Sequence, residues 1–328
     1  MVMEERNALE DPSREDEELL LSFFLDIFRL PESSSCMHAT LANFARIESK
    51  LNAMLTSHKE SSSNHTPEPP AAGEKKKKPL RMTAASCYIP KKSVTGGLVD
   101  QLGEDAFFIC EEKQVVGVAD GVGSWRKAGV DAGAYARELM SKAKGAARQE
   151  KETYVDPHVV MKLAHQRTTA EGSCTACIVS LRDQMISCAN IGDCGYVLIR
   201  DGAALLHSPV MQQVFNKPYQ LRRSSWKPST TMLSVKRFKV EPGDVVVVGT
   251  DGLFDNMLDK ELAYVIKSGF DLGLDAKRVA SIVANLAYSM SCSWTRETPF
   301  SIASRYAGKP RNGGKPDDIT VVLISIVE

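Results

Sequence analysis

Two stretches of the chain end a run of small and β-branched residues on the dipeptide Asp-Gly. The first reads VVGVADG and ends on Asp120-Gly121, and the second reads DVVVVGTDG and ends on Asp251-Gly252. Valine-rich runs are typical of buried strands, so each carboxylate should lie at a strand end. Carboxylate oxygens there suit a hard divalent cation, and glycine lets a backbone carbonyl approach the ion. A single Asp-Gly pair, by contrast, is more often a plain turn.

Two further acidic pairs precede apolar runs. Glu104-Asp105 comes before 106–110, and Asp317-Asp318 comes before 319–327. If these strands lie side by side, four acidic points meet in one cleft. Because clustered carboxylates are costly without a cation, the pattern favours two divalent metal ions that share a bridging carboxylate.

Six segments occur in the order found in metal-dependent serine/threonine protein phosphatases of type 2C: GEDAFF, VADGVGSW, GSCTACIVSL, ANIGDCGYVLIR, GTDGLFDN and KPDDITVVL. The chain resembles this family from about Ser86 to Val327. The surroundings of Trp125 and the segment 213–221 look most like the small branch found in mitochondria and related organelles. The resemblance implies hydrolysis of phosphoserine and phosphothreonine in a phosphoprotein substrate by a metal-activated water, with no protein nucleophile.

The resemblance also implies a set of metal ligands. Asp120 would bridge both ions and Gly121 would offer its carbonyl, while Asp251 and Asp317 would bind the other ion. Glu104 and Asp105 would hold metal-bound water. Because all of these ligands are oxygen atoms, two Mg²⁺ or Mn²⁺ ions are expected rather than zinc. The catalytic set is then Asp120, Asp251 and a phosphate-binding arginine, for which the candidate is Arg126.

Two positions depart from the larger members of the family. Asp100 stands where they carry a phosphate-binding arginine, and Lys91, Lys92 and Arg126 are the candidate replacements. Val122 stands where they carry a histidine that protonates the leaving group. General acid catalysis contributes about 10²–10⁴-fold in rate, so its loss would dampen activity. These departures support an alternative, a weakly active or inactive pseudophosphatase that acts as a binding module.

Two other motifs receive structural interpretations. Gly192-Asp193 follows a predicted strand and is interpreted mainly as a turn that shapes the sheet. Cys174 and Cys177 form a C-x2-C pair that could bind metal on a turn. Their flanks predict a strand, on which residues three apart point to opposite faces, so we expect two core thiols.

Composition restricts the class of protein further. The 328 residues carry 41 basic and 41 acidic side chains, so no excess positive charge favours nucleic acid. Eight cysteines without a secretory signal fit reduced thiols inside a cell. A two-metal hydrolase of nucleic acid or small molecules is therefore disfavoured, and a monomer is expected.

The chain divides into three predicted parts: a helical extension over 1–55, a disordered Ser/Pro/Lys-rich linker over 56–82 that ends in four lysines, and a catalytic domain over 83–328. The apolar stripes of Leu19–Leu30 and Leu41–Leu55 predict helices, and the first is too short and too interrupted by charge to span a bilayer. Eight carboxylates in the first twenty residues argue against a mitochondrial transit peptide. The compartment is thus open between mitochondria, by family analogy, and the cytoplasm or nucleus.

Helical patterns occur in pairs between groups of strands, which predicts an α+β fold. Helices are expected over 131–147, 157–168, 259–268 and 276–290, with Asp156 and Asp275 as caps. Strands are expected over 85–89, 106–110 and 115–119, which should form one sheet edge, and over 173–181, 185–190, 195–200 and 319–327. A polar insertion over 208–231 shows no periodicity. The resemblance implies a four-layer α-β-β-α sandwich of two antiparallel sheets with a dinuclear metal site at one end.

Overall fold

A computed structural model of the chain describes residues 79–91, 102–151, 154–223 and 233–328. The predicted N-terminal helices, nearly all of the predicted linker with its lysine run, Lys92 and Asp100 lie outside the described residues. Within the described residues, no helix is long and apolar enough to cross a membrane.

The strands and helices follow the predicted order with a few additions. The strands are β1 (Arg81–Ile89), β2 (Asp105–Cys110), β3 (Val115–Gly121), β4 (Ser173–Arg182), β5 (Met185–Ile191), β6 (Gly195–Arg200), β7 (Ala203–His207), β8 (Gln212–Val214), β9 (Lys217–Pro218), β10 (Leu221–Arg222), β11 (Ser234–Lys239), β12 (Val245–Gly249) and β13 (Ile319–Val327). The helices are α1 (Ala134–Gln149), α2 (Pro157–Arg167), α3 (Asp251–Phe254), α4 (Asp259–Asp271), α5 (Ala276–Ser291) and α6 (Pro299–Tyr306).

The strands form two antiparallel sheets, as expected. Sheet I has the order β1-β13-β12-β6-β7, and sheet II has the order β11-β5-β4-β3-β2, with β10 added beside β4. The expectation that β1, β2 and β3 share one sheet edge is wrong. β1 pairs along its whole length with β13, from Arg81 opposite Val327 to Ile89 opposite Ile319. The chain therefore crosses from sheet I to sheet II between β1 and β2.

A core of aliphatic side chains fills the space between the two sheets. Val118 and Val179 of sheet II meet Val248 and Val322 of sheet I there, and all four are fully buried. Met82 belongs to the same core and is 2% exposed. Because Met82 must reach this core, β1 begins at Arg81, two residues before the predicted start of the domain.

Helices cover the outer faces of both sheets and complete the α+β sandwich. α1 and α2 pack together over sheet II, and α5 packs over β1 and β13 of sheet I beside α4. The predicted caps are confirmed. The Asp156 carboxylate accepts a hydrogen bond from the His158 amide at 2.8 Å, and Asp275 accepts one from the Arg278 amide at 2.8 Å.

The C-x2-C pair lies on a strand, as predicted. Both thiols are fully buried on β4 and point to opposite faces of sheet II. Cys177 enters the core between the sheets, whereas Cys174 enters the core between sheet II and its helices. Burial raises the pKa of both thiols, which keeps them protonated and unreactive.

The sequence patterns missed β7, β11, α3 and α6. β7 and β11 are edge strands with many exposed residues, so neither carries a clear apolar period. The one-turn helix α3 follows β12 after a single residue, too briefly to show a helical period. The insertion over 208–231 is not wholly irregular, since β8, β9 and β10 form within it.

Candidate metal centre

Asp120 lies at the end of β3, where sheet II opens toward sheet I. It is flanked across the sheet by Asp105 on β2 and Thr175 on β4. Gly121 follows because the backbone is crowded there: a Cβ atom at this position would lie 2.2 Å from the Ala132 carbonyl oxygen. The Asp-Gly pair thus places a carboxylate and an adjacent carbonyl at the end of a rigid strand.

Asp251 approaches from the other sheet. It is the first residue of α3, one residue after β12 ends, and it is buried. The following glycine is again required by packing, because a Cβ atom at Gly252 would lie 1.9 Å from the Asp318 carbonyl oxygen. The two Asp-Gly pairs are therefore contributed by facing sheets, not by neighbouring strands of one sheet.

Asp193 lies in the predicted turn but also belongs to the acidic group, which its interpretation as mainly structural did not predict. Within the described residues, one carboxylate oxygen each from Asp120, Asp193 and Asp251 all lie within 4.8 Å of one another. Asp193 occupies the connection from β5 of sheet II to β6 of sheet I, next to Gly192 with its φ of +88°. The signal was available in the sequence, since this acidic residue also follows directly on a buried strand.

Glu104 and Asp105 line the sheet II side of the centre. One Asp105 oxygen accepts hydrogen bonds from the hydroxyls of Thr250 and Thr320, both at 2.7 Å. Because Thr320 lies in β13 and Thr250 directly follows β12, Asp105 links sheet II to the sheet I side of the centre. Glu104 donates its backbone amide to Asp318 at 2.7 Å, which fixes the start of β2.

Asp317 and Asp318 have different surroundings. Asp318 is buried and accepts hydrogen bonds from the backbone amides of Lys91 and Glu104, at 2.6 and 2.7 Å. Asp317 is partly exposed, and its carboxylate lies 3.3 Å from the Lys315 ammonium. Asp317 is not part of the described group formed by Asp120, Asp193 and Asp251. Asp318 therefore holds the backbone at Lys91, after β1, and at Glu104, before β2. Asp317 is the partly exposed carboxylate at the edge of the acidic centre.

Sequence reasoning missed Lys315 and Asp255. The Lys315 ammonium forms ion pairs with Asp251 and, at 2.8 Å, with Asp255. Lys315 is the first residue of the segment KPDDITVVL. A lysine two residues before an acidic pair resembles any solvated charge in a loop, so the local pattern gave no reason to place it inside the centre.

The carboxylates of the centre are costly to ionise together. Burial, reinforced by repulsion from Asp251, raises the pKa of both Asp120 and Asp193 well above the usual range. Burial and repulsion from Asp318 do the same to the pKa of Asp105. A group of buried and partly buried acids with raised pKa values is the electrostatic environment that a bound cation relieves.

Arg126 lies in the 3₁₀ turn Gly123–Ala128, directly after the metal loop. Its Nε atom is 2.7 Å from Glu104 Oε1, and its side chain is 48% exposed. The Lys91 ammonium lies on the same rim, 3.8 Å from Asp317. Val122 precedes the turn, and its side chain offers no proton. The cationic candidates for phosphate binding thus lie at the edge of the acidic centre.

The chain is similar in sequence to known protein phosphatases. Residues 99–286 match the family model described as Protein phosphatase 2C. The curated "Probable protein phosphatase 2C 80" of Arabidopsis thaliana is 43% identical over 75% of this chain and 59% of its own length. "Protein phosphatase PTC7 homolog fig" of Drosophila yakuba is 35% identical over 79% of this chain and 87% of its own length. The chain spans little more than half the length of the Arabidopsis relatives that it matches.

Solved structures give the same picture of the fold. The X-ray structure of the photosystem II phosphatase PBCP superposes with a TM-score of 0.66 at 32% identity, covering 74% of this chain and 98% of that one. The catalytic domain of the phosphatase PstP, solved with two manganese ions, has a TM-score of 0.53 at 14% identity and covers 76% of this chain and all of that one. The second likeness concerns the fold alone.

Proposed function

We propose that this chain, which belongs to the protein phosphatase 2C family, is a metal-dependent protein phosphatase acting on phosphoserine and phosphothreonine. The observation that carries the proposal is the meeting of Asp120, Asp193 and Asp251 between the two sheets. A cluster of carboxylates like this one can bind divalent cations, which in turn bind phosphate.

The donor set fits Mg²⁺ or Mn²⁺. Asp105, Asp193 and Asp251 each have one buried carboxylate oxygen without a hydrogen-bond partner among the described residues. Hard oxygen donors suit Mg²⁺ and Mn²⁺ better than softer metals. We assign two ions to the carboxylates of Asp120, Asp193, Asp251 and Asp317 and the carbonyl of Gly121, with Glu104 and Asp105 supporting them. When bound, such ions activate water for attack on phosphorus and offset charge on the phosphoryl group.

The protein itself supplies positioning and phosphate binding. Two threonine hydroxyls hold the Asp105 carboxylate, and the Arg126 guanidinium holds that of Glu104. These two carboxylates are therefore in position before the substrate binds. Arg126 retains exposed surface at the rim, and guanidinium groups bind phosphate oxygens in pairs. We therefore assign Arg126 to substrate phosphate binding in place of the arginine replaced by Asp100.

The test is hydrolysis of a phosphothreonine peptide by the purified full chain. We expect turnover with added Mn²⁺, loss of turnover with EDTA, and recovery when Mn²⁺ is restored. The folded variant Asp120→Asn serves as the matched inactive control, because it removes one charge and no volume. If folded wild type gives no metal-dependent hydrolysis, the enzyme proposal is wrong and a phosphoprotein-binding module without catalysis replaces it.

A further inference from the structure

Lys315 brings a positive charge into the acidic centre. Its ammonium group contacts Asp251 and lies 2.8 Å from Asp255 and 3.3 Å from Asp317. The side chain is only 19% exposed. Two of these three carboxylates, those of Asp251 and Asp317, are the sheet I residues assigned above to metal binding.

The lysine is held in this position by its own backbone. Asn256 accepts a hydrogen bond from the Lys315 amide at 2.8 Å and donates one to the Lys315 carbonyl at 2.9 Å. The ring of Phe300 lies 5.7 Å from the ammonium, within the range of a cation–π interaction. Although burial lowers the pKa of Lys315, attraction to Asp251, Asp255 and Asp317 outweighs it and raises the net pKa well above the ordinary value.

The two carboxylate oxygens of Asp251 have different surroundings. Oδ2 faces the Lys315 ammonium, whereas Oδ1 is buried without a hydrogen-bond partner among the described residues. A divalent ion that engaged both Asp251 and Asp317 would lie close to the ammonium group and be repelled by it. Like charges a few ångströms apart repel more strongly within a protein than in water, because the effective dielectric constant there is about 20 rather than about 80.

We propose that Lys315 is a built-in counter-cation of the sheet I carboxylates, which stabilises the metal-free fold and weakens binding of the divalent ion on the Asp251–Asp317 side. This inference rests on the metal site proposed above. It makes the two ions unequal: the ion on the Gly121 side, away from Lys315, binds more tightly, and the ion beside Lys315 needs a higher metal concentration to bind.

The test is calorimetric titration of the full chain with MnCl₂ after treatment with EDTA and its removal. Lys315→Met should tighten the weaker Mn²⁺ binding step about tenfold or more, because repulsion is removed. Lys315→Arg keeps the charge and should bind like wild type. Lys309→Met is the matched control, since Lys309 is an exposed lysine on the same connection to β13.

A second readout is the melting temperature. Without metal, Lys315→Met should melt below wild type, because three carboxylates lose their cation, and added Mn²⁺ should restore most of the loss. If Lys315→Met is not folded without metal, Lys315→Gln is titrated instead, since it keeps a polar donor of similar reach.

Several results would overturn the inference. Equal Mn²⁺ affinities in wild type and the neutral variant would assign Lys315 a purely structural role. Weaker Mn²⁺ binding in the neutral variant would mean that the lysine supports the metal site. If wild type and Lys315→Met both bind no Mn²⁺, the metal site itself is wrong and this inference falls with it.

Discussion

Sheet II supplies Glu104, Asp105 and Asp120 to the acidic centre, whereas Asp251 and Asp317 come from the ends of sheet I strands. On the sheet II side, Asp105 is held by neutral threonine hydroxyls, and the cation Arg126 sits at the exposed rim against Glu104. On the sheet I side, a largely buried lysine contacts the carboxylates directly. Among the described residues, the sheet II half therefore meets a cation only at its exposed edge, whereas the sheet I half has a largely buried one.

The largest effect on turnover is expected when a single aspartate of either half is replaced by asparagine. Asp120→Asn and Asp251→Asn should each lower Mn²⁺-dependent turnover of a phosphothreonine peptide by about 10³-fold or more, because each removes a charged metal ligand. The metal-free melting temperatures should differ. Asp120→Asn should raise it, since repulsion among buried acids is relieved, whereas Asp251→Asn should raise it less or lower it, since Lys315 loses a partner.

Calorimetry of both variants in EDTA measures this difference. Equal increases in melting temperature would mean that Lys315 does not distinguish the two halves.

The rim cations give the next effect. Arg126→Ala should raise KM for a phosphopeptide about tenfold with a smaller change in kcat, because a planar guanidinium binds phosphate in pairs of hydrogen bonds. Lys91→Ala should change KM less, since the Lys91 ammonium lies near Asp317, a carboxylate that also pairs with Lys315. Steady-state kinetics of the two variants tests this order. Equal, small changes in KM would mean that neither Arg126 nor Lys91 is the main phosphate-binding residue.

The pH dependence of stability should differ between metal-free and metal-loaded protein. Burial raises the pKa of Asp255 and Asp317 to about 6, above their unfolded value of about 4. The folded metal-free protein thus binds protons more readily than the unfolded chain, so its stability should rise as pH falls from about 6 toward about 4.

With Mn²⁺ bound, the sign should reverse, because protons compete with the metal for the same oxygens. Differential scanning calorimetry at several pH values, with EDTA or with Mn²⁺, measures both slopes as shifts of several degrees. Asp317→Asn should flatten the metal-free slope, and an unchanged slope in that variant would assign the effect to other acids.

The thiols beneath the sheet II half should give the smallest effect on activity. Replacing Cys174 and Cys177 by alanine should cost about 1–3 kcal/mol of unfolding free energy through lost packing. Specific activity of the folded fraction should stay within about twofold of wild type, since neither thiol is placed among the metal ligands. Urea denaturation and peptide hydrolysis test the two parts. Zinc bound stoichiometrically through these two sulfurs would contradict the strand assignment.

The chain's local patterns identified the strand ends, and with them most of the acidic centre. Valine-rich runs that stop at Asp120 and Asp251 predicted where each carboxylate would lie, because burial of a strand and exposure of its end are both local properties. The same reasoning predicted the helix caps Asp156 and Asp275 and the opposite faces of Cys174 and Cys177, which the structure confirms.

Only the tertiary structure decided which of these ends meet. β1 lies beside β13 rather than β2, and Asp193 joins Asp120 and Asp251 because the β5–β6 connection passes from one sheet to the other. Lys315 reaches Asp251 across more than sixty residues of sequence. A local pattern records the face and the end of a strand, but the partner of a strand or of a long charged side chain depends on how distant elements pack.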